Sequence, residues 1–205
     1  MKLFYAPFSC ALSPHIVLRE LNLPFTLERV DYATKRTETG QDFVAINPKG
    51  YIPALQFDDG TLLTEGPAIT QYLVDKYAPG SLAPLPGTME RAQVNSYLTF
   101  IGTELHKPWS ALFDPALKPE ERAAVVAKLH RVLGLIEDVL ADGRPYLTGP
   151  SFTLADIYLF VVQKWSSFTD VDLAKFRHVQ VHAGRIAARS ATQAAVEEEG
   201  RAAAA

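Results

Sequence analysis

The pattern of apolar and polar positions changes after residue 80. Before that point, the short apolar run at residues 2–5 (KLFY) and the alternating residues 25–31 (FTLERVD) predict two strands. A helix is predicted between them, with Ser13 as its N-cap and Pro14 at its first position, where proline is favoured. The order of elements, β-α-β-α-β-β-α, predicts a small mixed sheet with helices packed on it.

Two more strands are predicted on either side of Asp58-Asp59-Gly60, because glycine readily takes the positive φ of a tight hairpin turn. Pro53 stands directly before the first of these strands. An ordinary trans turn is expected there from the residues alone, since only about 5–6% of X-Pro bonds in folded proteins are cis. A helix is predicted over Gly66–Tyr77 from its apolar spacing.

Beyond a Pro- and Gly-rich stretch, the pattern is helical. We therefore predict an α/β N-terminal domain over residues 1–80, a linker over 81–87 and an all-α C-terminal domain over 88–205. Helices are predicted over Met89–Lys107, from Pro119, from Leu154 and over 173–189.

Two shorter segments carry local predictions of their own. Thr153 stands three residues before Asp156, which predicts a capping box at the start of the helix from Leu154. The tail EEEGRAAAA, residues 197–205, has low complexity and is expected to fray.

Composition narrows the possible partners. Hydrophobic residues make up 48% of the 205 residues and charged residues 21%, which is typical of a globular protein with a core. The net charge is −3 and no basic run stands out, so no nucleic-acid partner is expected. Residues 157–162, the longest apolar run, are too few to span a membrane. With one cysteine and an apolar start interrupted at Pro7, we expect a soluble, cytoplasmic protein without a disulfide framework or a metal site.

Cys10 is the first candidate for chemistry. It follows a strand and stands at or just before the start of a helix, where the helix dipole and unpaired N–H groups favour a thiolate. The run Cys10-Ala11-Leu12-Ser13 has the layout of a redox C-x-x-C motif whose second cysteine is serine. Such a site forms a mixed disulfide that it cannot resolve internally. A buried, inert cysteine is the equally weighted alternative.

Thr64-Glu65-Gly66 is a second candidate, because it immediately precedes a helix. A helix N-terminus binds carboxylates and a neighbouring glutamate pairs with ammonium, which together suit the α-amino acid end of a ligand. A plain helix cap is the alternative, and the residues alone favour it.

The whole pattern resembles a family. KLFYAPFSCALSPHIVLRE, followed by NPKGYIPALQFDDGTLLTEGPAITQYL, looks like a cytosolic glutathione transferase, and Cys10, SPHI and ELHKPW at 104–109 make it similar to the bacterial beta class. The resemblance extends over essentially the whole chain. It implies a thioredoxin-like first domain, a helical second domain, a homodimer, glutathione as cosubstrate with no other cofactor, and conjugation of small hydrophobic electrophiles in detoxification.

The resemblance also implies individual roles. Pro53 is expected to be cis, Ile52 to hold the cysteinyl part of glutathione, and Glu65 and Gly66 its γ-glutamyl end. Catalytic roles are expected for Cys10, which can hold glutathione as a mixed disulfide, and for His106 and Tyr5. The implied glutathione-binding residues are Cys10, Lys35, Ile52, Pro53, Glu65, Gly66 and, from the long helix of a partner subunit, Thr99, Thr103, Glu104, Leu105 and His106.

Two positions depart from the family pattern, and one rival function stays open. Ala11 stands where serine is frequent, and Thr99 where asparagine is common. The rival is a non-catalytic protein that binds hydrophobic ligands or a protein partner on the same fold, because fold alone does not determine function.

Overall fold

The computed structural model describes residues 1–204, and their packing forms two compact units. The sheet unit consists of Met1–Ser81 together with the C-terminal segment that begins at Arg189. The helical unit consists of Leu82–Ala188. The C-terminal segment therefore packs with the first 81 residues, although it follows the helical unit in the chain.

The sheet unit has four strands in the order β2-β1-β3-β4. They are β1 (Lys2–Tyr5), β2 (Thr26–Arg29), β3 (Ala54–Gln56) and β4 (Leu62–Thr64). Strands β1 and β2 are parallel, so they need a crossover, whereas the β3–β4 hairpin turns at Gly60 with φ +86°. The helices of this part are α1 (Leu12–Glu20), α2 (Phe43–Ile46) and α3 (Gly66–Tyr77). The predicted order of elements is confirmed.

The predicted start of the first helix is wrong. Ser13 is the second residue of α1 and is buried, while Ala11 occupies the N-cap without a side-chain cap hydrogen bond. The hydroxyl at this turn belongs to Ser9, whose Oγ accepts from the Ala11 amide at 3.2 Å. Because this earlier serine already satisfies a free amide, the helix begins one residue before Ser13.

The helical unit contains five α-helices. They are α4 (Met89–Phe100), α5 (Lys107–Ala111), α6 (Pro119–Leu140), α7 (Leu154–Gln163) and α8 (Arg177–Ala187). A 3₁₀ turn, Lys164–Phe168, follows α7. The predicted capping box is confirmed, since Asp156 accepts hydrogen bonds from both the amide and the hydroxyl of Thr153. No helix among residues 1–204 is long and apolar enough to cross a membrane.

The predicted long helix at Met89–Lys107 is not a uniform α-helix. A π-helical segment, Ile101–His106, joins α4 to α5. Pro108 lies just after it and lacks the N–H that an α-helix would direct at the carbonyl of Glu104. A π-helical segment within an α-helix is rare and frequently marks a functional site.

The expectation that the tail frays is wrong. Residues Ser190–Ala204 form helix α9, which packs against α1. Arg29 Nη1 donates to the carbonyl oxygen of Ala202 at 2.8 Å, and Glu199 is fully buried. Tertiary contacts of this kind stabilise a helix whose own sequence carries little signal.

Candidate active site

Cys10 lies at the end of the sheet where the chain passes from β1 into α1. Its Sγ is 3.5 Å from the carbonyl oxygen of Ile52, which the thiol can reach as a donor. The residue is partly exposed and is not in a disulfide. Strand pairing explains the proximity, because Phe4 pairs with Ala54 and the chain on both sides continues past this last pair.

The helix start and burial act on the Cys10 thiol in opposite directions. Burial raises the pKa of Cys10 to about 12, and the carboxylates of Glu65 and Glu199 add to the rise. The backbone N–H groups of Cys10 and Ala11 lower the pKa, as expected at a helix start, but they do not outweigh burial. In the free protein Cys10 is therefore a neutral thiol at physiological pH.

Ile52 and Pro53 are arranged as the resemblance implies. The bond between them is cis, so that prediction is confirmed and the ordinary trans turn is excluded. Ile52 is buried and belongs to a small apolar cluster with Phe4, Val30 and Phe43. The cluster fixes the backbone of Ile52 beside Cys10.

Glu65 precedes α3 in an unusual conformation. Its φ is +71° and its side chain forms no cap hydrogen bond, so it is not a plain helix cap. The carboxylate is mostly exposed, with Lys49 Nζ at 3.4 Å from one oxygen. Gly66 is buried, and a Cβ there would meet Pro53 Cγ at 3.7 Å, an ordinary contact.

Lys35 has a positive φ as well, +56°. Its backbone is held on both sides, because its amide donates to the Asp31 carbonyl and its carbonyl accepts from the Phe43 amide. Its ammonium lies 3.7 Å from the centre of the Tyr32 ring, a cation–π contact. The cation is thereby held near Tyr32, which itself lies within electrostatic range of Cys10.

Backbone strain points to the same region. Among residues 1–204, the non-glycine residues with positive φ are Phe8, Asn22, Lys35 and Glu65. Such conformations cost of order 1–3 kcal/mol each and cluster at ligand sites. Asn22 caps the end of α1, but the other three are the predicted residues Lys35 and Glu65 and a neighbour of Cys10.

Tyr5, predicted as a catalytic candidate, ends β1 and is almost fully buried. Burial raises the pKa of its hydroxyl, and the carboxylates of Glu38 and Glu199 contribute to the rise. The side chain therefore packs as a neutral phenol in the sheet unit.

His106 lies in the helical unit, at the last position of the π-helical segment. Its Nδ1 is 2.5 Å from the hydroxyl of Tyr158, and its ring packs edge-on against Trp165 at 4.9 Å between centroids. Phe113 also packs edge-on against Trp165, with 5.7 Å between ring centroids, and is about half exposed. These residues form a mainly aromatic cluster that carries two titratable side chains, His106 and Tyr158. Sequence reasoning did not include Tyr158.

The remaining predicted residues lie on two faces of the same helical run. Thr99 and Thr103 are exposed, one turn apart, and the Thr103 hydroxyl donates to the Thr99 carbonyl at 3.1 Å. Glu104 pairs with Lys128 at 3.2 Å. Leu105 is fully buried in the helical unit, so its side chain is not open to a ligand.

One group near the site was absent from the sequence prediction. Glu199, in the tail expected to fray, contacts His15 and the amide of Phe8. The signal for it was His15, which stands beside Ile16 on the apolar side of the first predicted helix. A buried polar side chain needs a partner, but the sequence does not say where that partner lies.

Two family models match the chain. The one described as glutathione S-transferase, N-terminal domain, matches residues 8–76, and the one described as glutathione S-transferase, C-terminal domain, matches residues 119–186. A curated relative, glutathione S-transferase GstA of Escherichia coli O157:H7, is 42% identical over 200 residues, which are 98% of this chain and 99% of that protein.

Solved structures agree with these matches. A sphingomonad glutathione S-transferase complexed with glutathione has a TM-score of 0.93 and 42% identity, covering 98% of this chain and 99% of that one. A bacterial beta class glutathione S-transferase of Sphingomonas chungbukensis also has a TM-score of 0.93, with 41% identity and the same coverage.

Proposed function

Since the chain belongs to the glutathione S-transferase family, we propose that it binds glutathione in the sheet unit and conjugates it to small hydrophobic electrophiles. The observation that carries the proposal is the contact between Cys10 Sγ and the Ile52 carbonyl at 3.5 Å. It brings a thiol next to the backbone of Ile52, which precedes strand β3 at the edge of the sheet where β1 ends. An extended, thiol-containing peptide can pair with the Ile52 backbone and place its own sulfur beside Cys10.

The surrounding charges suit the two ends of the tripeptide. Glu65 offers a mostly exposed carboxylate to the γ-glutamyl ammonium, and the N-terminus of α3 at Gly66 offers N–H groups to the carboxylate beside it. Lys35 offers its ammonium to the glycine carboxylate. Ile52 contributes its backbone amide and carbonyl to the central cysteinyl residue.

The chemistry follows from the protonation state of Cys10. As a neutral thiol it can donate a hydrogen bond to the sulfur of glutathione and favour its thiolate form. That thiolate attacks the electrophilic carbon, the new C–S bond forms and the leaving group departs with its electron pair. No step requires Cys10 to lose its proton, so conjugation is compatible with a neutral Cys10 thiol.

Thiol–disulfide exchange is the proposed second activity. There the Cys10 thiolate attacks a disulfide, forms the mixed disulfide and releases one thiolate. A glutathione thiolate then attacks the mixed disulfide, forms a new disulfide with the bound group and releases the Cys10 thiolate. Because the pKa of Cys10 is raised, we expect this reaction to be slow near neutral pH and faster in alkali.

We further propose a cytoplasmic homodimer. Thr99 and Thr103 are exposed to a second copy of the chain, and Glu104 and His106 follow them on the same helical run. Within the helical unit, Phe113 is about half exposed beside Trp165 and offers an apolar surface for a small hydrophobic compound. Analytical ultracentrifugation tests the dimer directly, and a monomer at micromolar concentration would contradict it.

The deciding experiment compares wild type with Cys10→Ala in glutathione binding by calorimetry, in conjugation of chlorodinitrobenzene and in reduction of a mixed disulfide. We expect Cys10→Ala to abolish exchange, to retain binding and to slow conjugation by about tenfold, because one hydrogen bond to the glutathione thiolate is lost while glutathione is still held. Loss of both reactions with binding intact would refute the division of roles. Glutathione binding without turnover of a panel of electrophiles would favour the non-catalytic rival.

A further inference from the structure

Helix α9 is joined to α1 by a cluster of charged side chains away from Cys10. His15 is fully buried between two carboxylates, with Nδ1 3.0 Å from Glu199 and Nε2 2.9 Å from Glu198. Arg19 donates to the other oxygen of Glu198. Each ring nitrogen of His15 thus faces one carboxylate, and Arg19 lies on the far side of Glu198.

Glu199 makes a contact that its neighbour does not share. One of its oxygens faces His15, and the other accepts the backbone amide of Phe8 at 2.6 Å. The contacts of Glu198 are with the side chains of His15 and Arg19. One carboxylate thus joins the C-terminal helix to the backbone of the loop that carries Cys10.

The backbone at Phe8 needs such a contact. Its φ of +58° is in the left-handed region, which is unfavourable for a bulky residue. A hydrogen bond from an amide to a charged carboxylate is roughly twice as strong as one between neutral groups. The turn is closed locally by a hydrogen bond from the Ser9 amide to the Ala6 carbonyl at 3.2 Å, and Glu199 adds a charged partner for the strained residue at its centre.

We propose that Glu199 is a positioning residue, which holds the loop of residues 7–10 in the conformation that presents Cys10. The inference rests on the proposed function, in which this loop lies beside bound glutathione. A purely structural role is a poorer account, because buried ion pairs contribute little net stability and an apolar contact would join the two helices as well. The Glu199 carboxylate instead accepts a hydrogen bond from the backbone amide of Phe8 in the loop.

Two substitutions at Glu199 distinguish the length of its side chain from its charge. Glu199→Asp keeps the charge but withdraws the carboxylate by one methylene, so it cannot span Phe8 and His15. Glu199→Gln keeps the reach and loses the charge. The same two substitutions at Glu198 are matched controls, since that residue lies on the same helix and also contacts His15.

Three measurements are made on each folded variant: hydrogen exchange of the Phe8 amide by NMR, KM and kcat with glutathione, and the rate at which an aromatic disulfide modifies Cys10. The last measurement is unambiguous because Cys10 is the only cysteine. Unfolding in urea is recorded in parallel.

We expect Glu199→Asp to speed Phe8 exchange by about tenfold or more and to raise KM for glutathione by about tenfold, with kcat changed less. Glu199→Gln should show smaller effects in the same direction, and both Glu198 variants should stay within about twofold of wild type. If Glu199→Asp does not fold, Glu199→Gln against Glu198→Gln decides the question.

The proposal is overturned if the Glu198 and Glu199 variants behave alike, if Gln is the more damaging substitution at position 199, or if Phe8 exchange does not change. A failure of the proposed function looks different. In that case the wild type neither binds nor turns over glutathione, while Phe8 exchange and Cys10 modification still report on Glu199.

Discussion

At the scale of single residues, the site depends on how one thiol is held. Sequence position suggests an activated thiolate at Cys10, and the helix-start N–H groups do act in that direction. Burial and two carboxylates act against it and are stronger. The direction of the Cys10 pKa shift could not be predicted from the sequence, because Glu65 and Glu199 belong to segments far from Cys10 in the chain.

The raised pKa makes a direct prediction for the free protein. Below a pKa of about 12 the thiolate fraction grows about tenfold with each pH unit. The rate at which an aromatic disulfide modifies Cys10 should therefore keep rising between about pH 6 and pH 9, corrected for the reagent with a small free thiol as control. A plateau reached below about pH 8 would contradict it.

At the scale of elements, local signals predicted most of the fold. The strands, the turn at Gly60, α3 and the Thr153 capping box all follow from neighbouring residues. The errors have physical causes of the same kind. The hydroxyl at the start of α1 belongs to Ser9 and not to Ser13. The predicted long helix contains a π-helical segment before Pro108. Helix α9 is stabilised by partners more than 150 residues away in the chain.

The end of α1 offers a stability test. Leu23 N bonds to the Leu18 carbonyl and Asn22 N to the Arg19 carbonyl, which is a Schellman motif with Asn22 at φ +50°. Asn22→Gly should stabilise the protein by about 0.5 kcal/mol, and Asn22→Val should destabilise it by about 1–2 kcal/mol. Urea unfolding with unchanged m-values measures both. Equal effects of the two substitutions would refute the assignment.

The start of α7 offers a second test. Asp156 is fully buried and accepts from the amides of Leu147 and Thr153, from the Thr153 hydroxyl and from His182 Nε2. Asp156→Ala leaves these donors unpaired and should cost about 3–5 kcal/mol, against about 1 kcal/mol for Thr153→Ala. Thermal unfolding of the two variants side by side decides it, and similar losses would show that the carboxylate is not the centre of the network.

At the scale of the whole molecule, the chain forms two units, and the sheet unit is discontinuous in sequence. Sequence reasoning expected the boundary near residue 80 but assigned the tail to the helical domain. The contacts that join α9 to α1 are buried charges with large sequence separation, which no local pattern encodes.

Deleting residues 190–205 tests this arrangement. It removes both carboxylates from His15 and exposes the face of α1 that α9 covers. Hydrogen exchange should become faster in β1 and α1 but change little in α6 and α7. Uniform acceleration in both units, or none in α1, would contradict the assignment of α9 to the sheet unit. A full-length Glu198→Gln variant controls for loss of a single charge.

The discontinuity also has a consequence for biosynthesis. Domains fold as the ribosome releases them, at about 5–20 residues per second. The helical unit lies between the two parts of the sheet unit, so it can complete its packing while α9 is still being translated. Residues 1–81 are translated before the helical unit, but the carboxylates that contact His15 are translated after it. On the nascent chain, the part that carries Cys10 is thus the last to be finished.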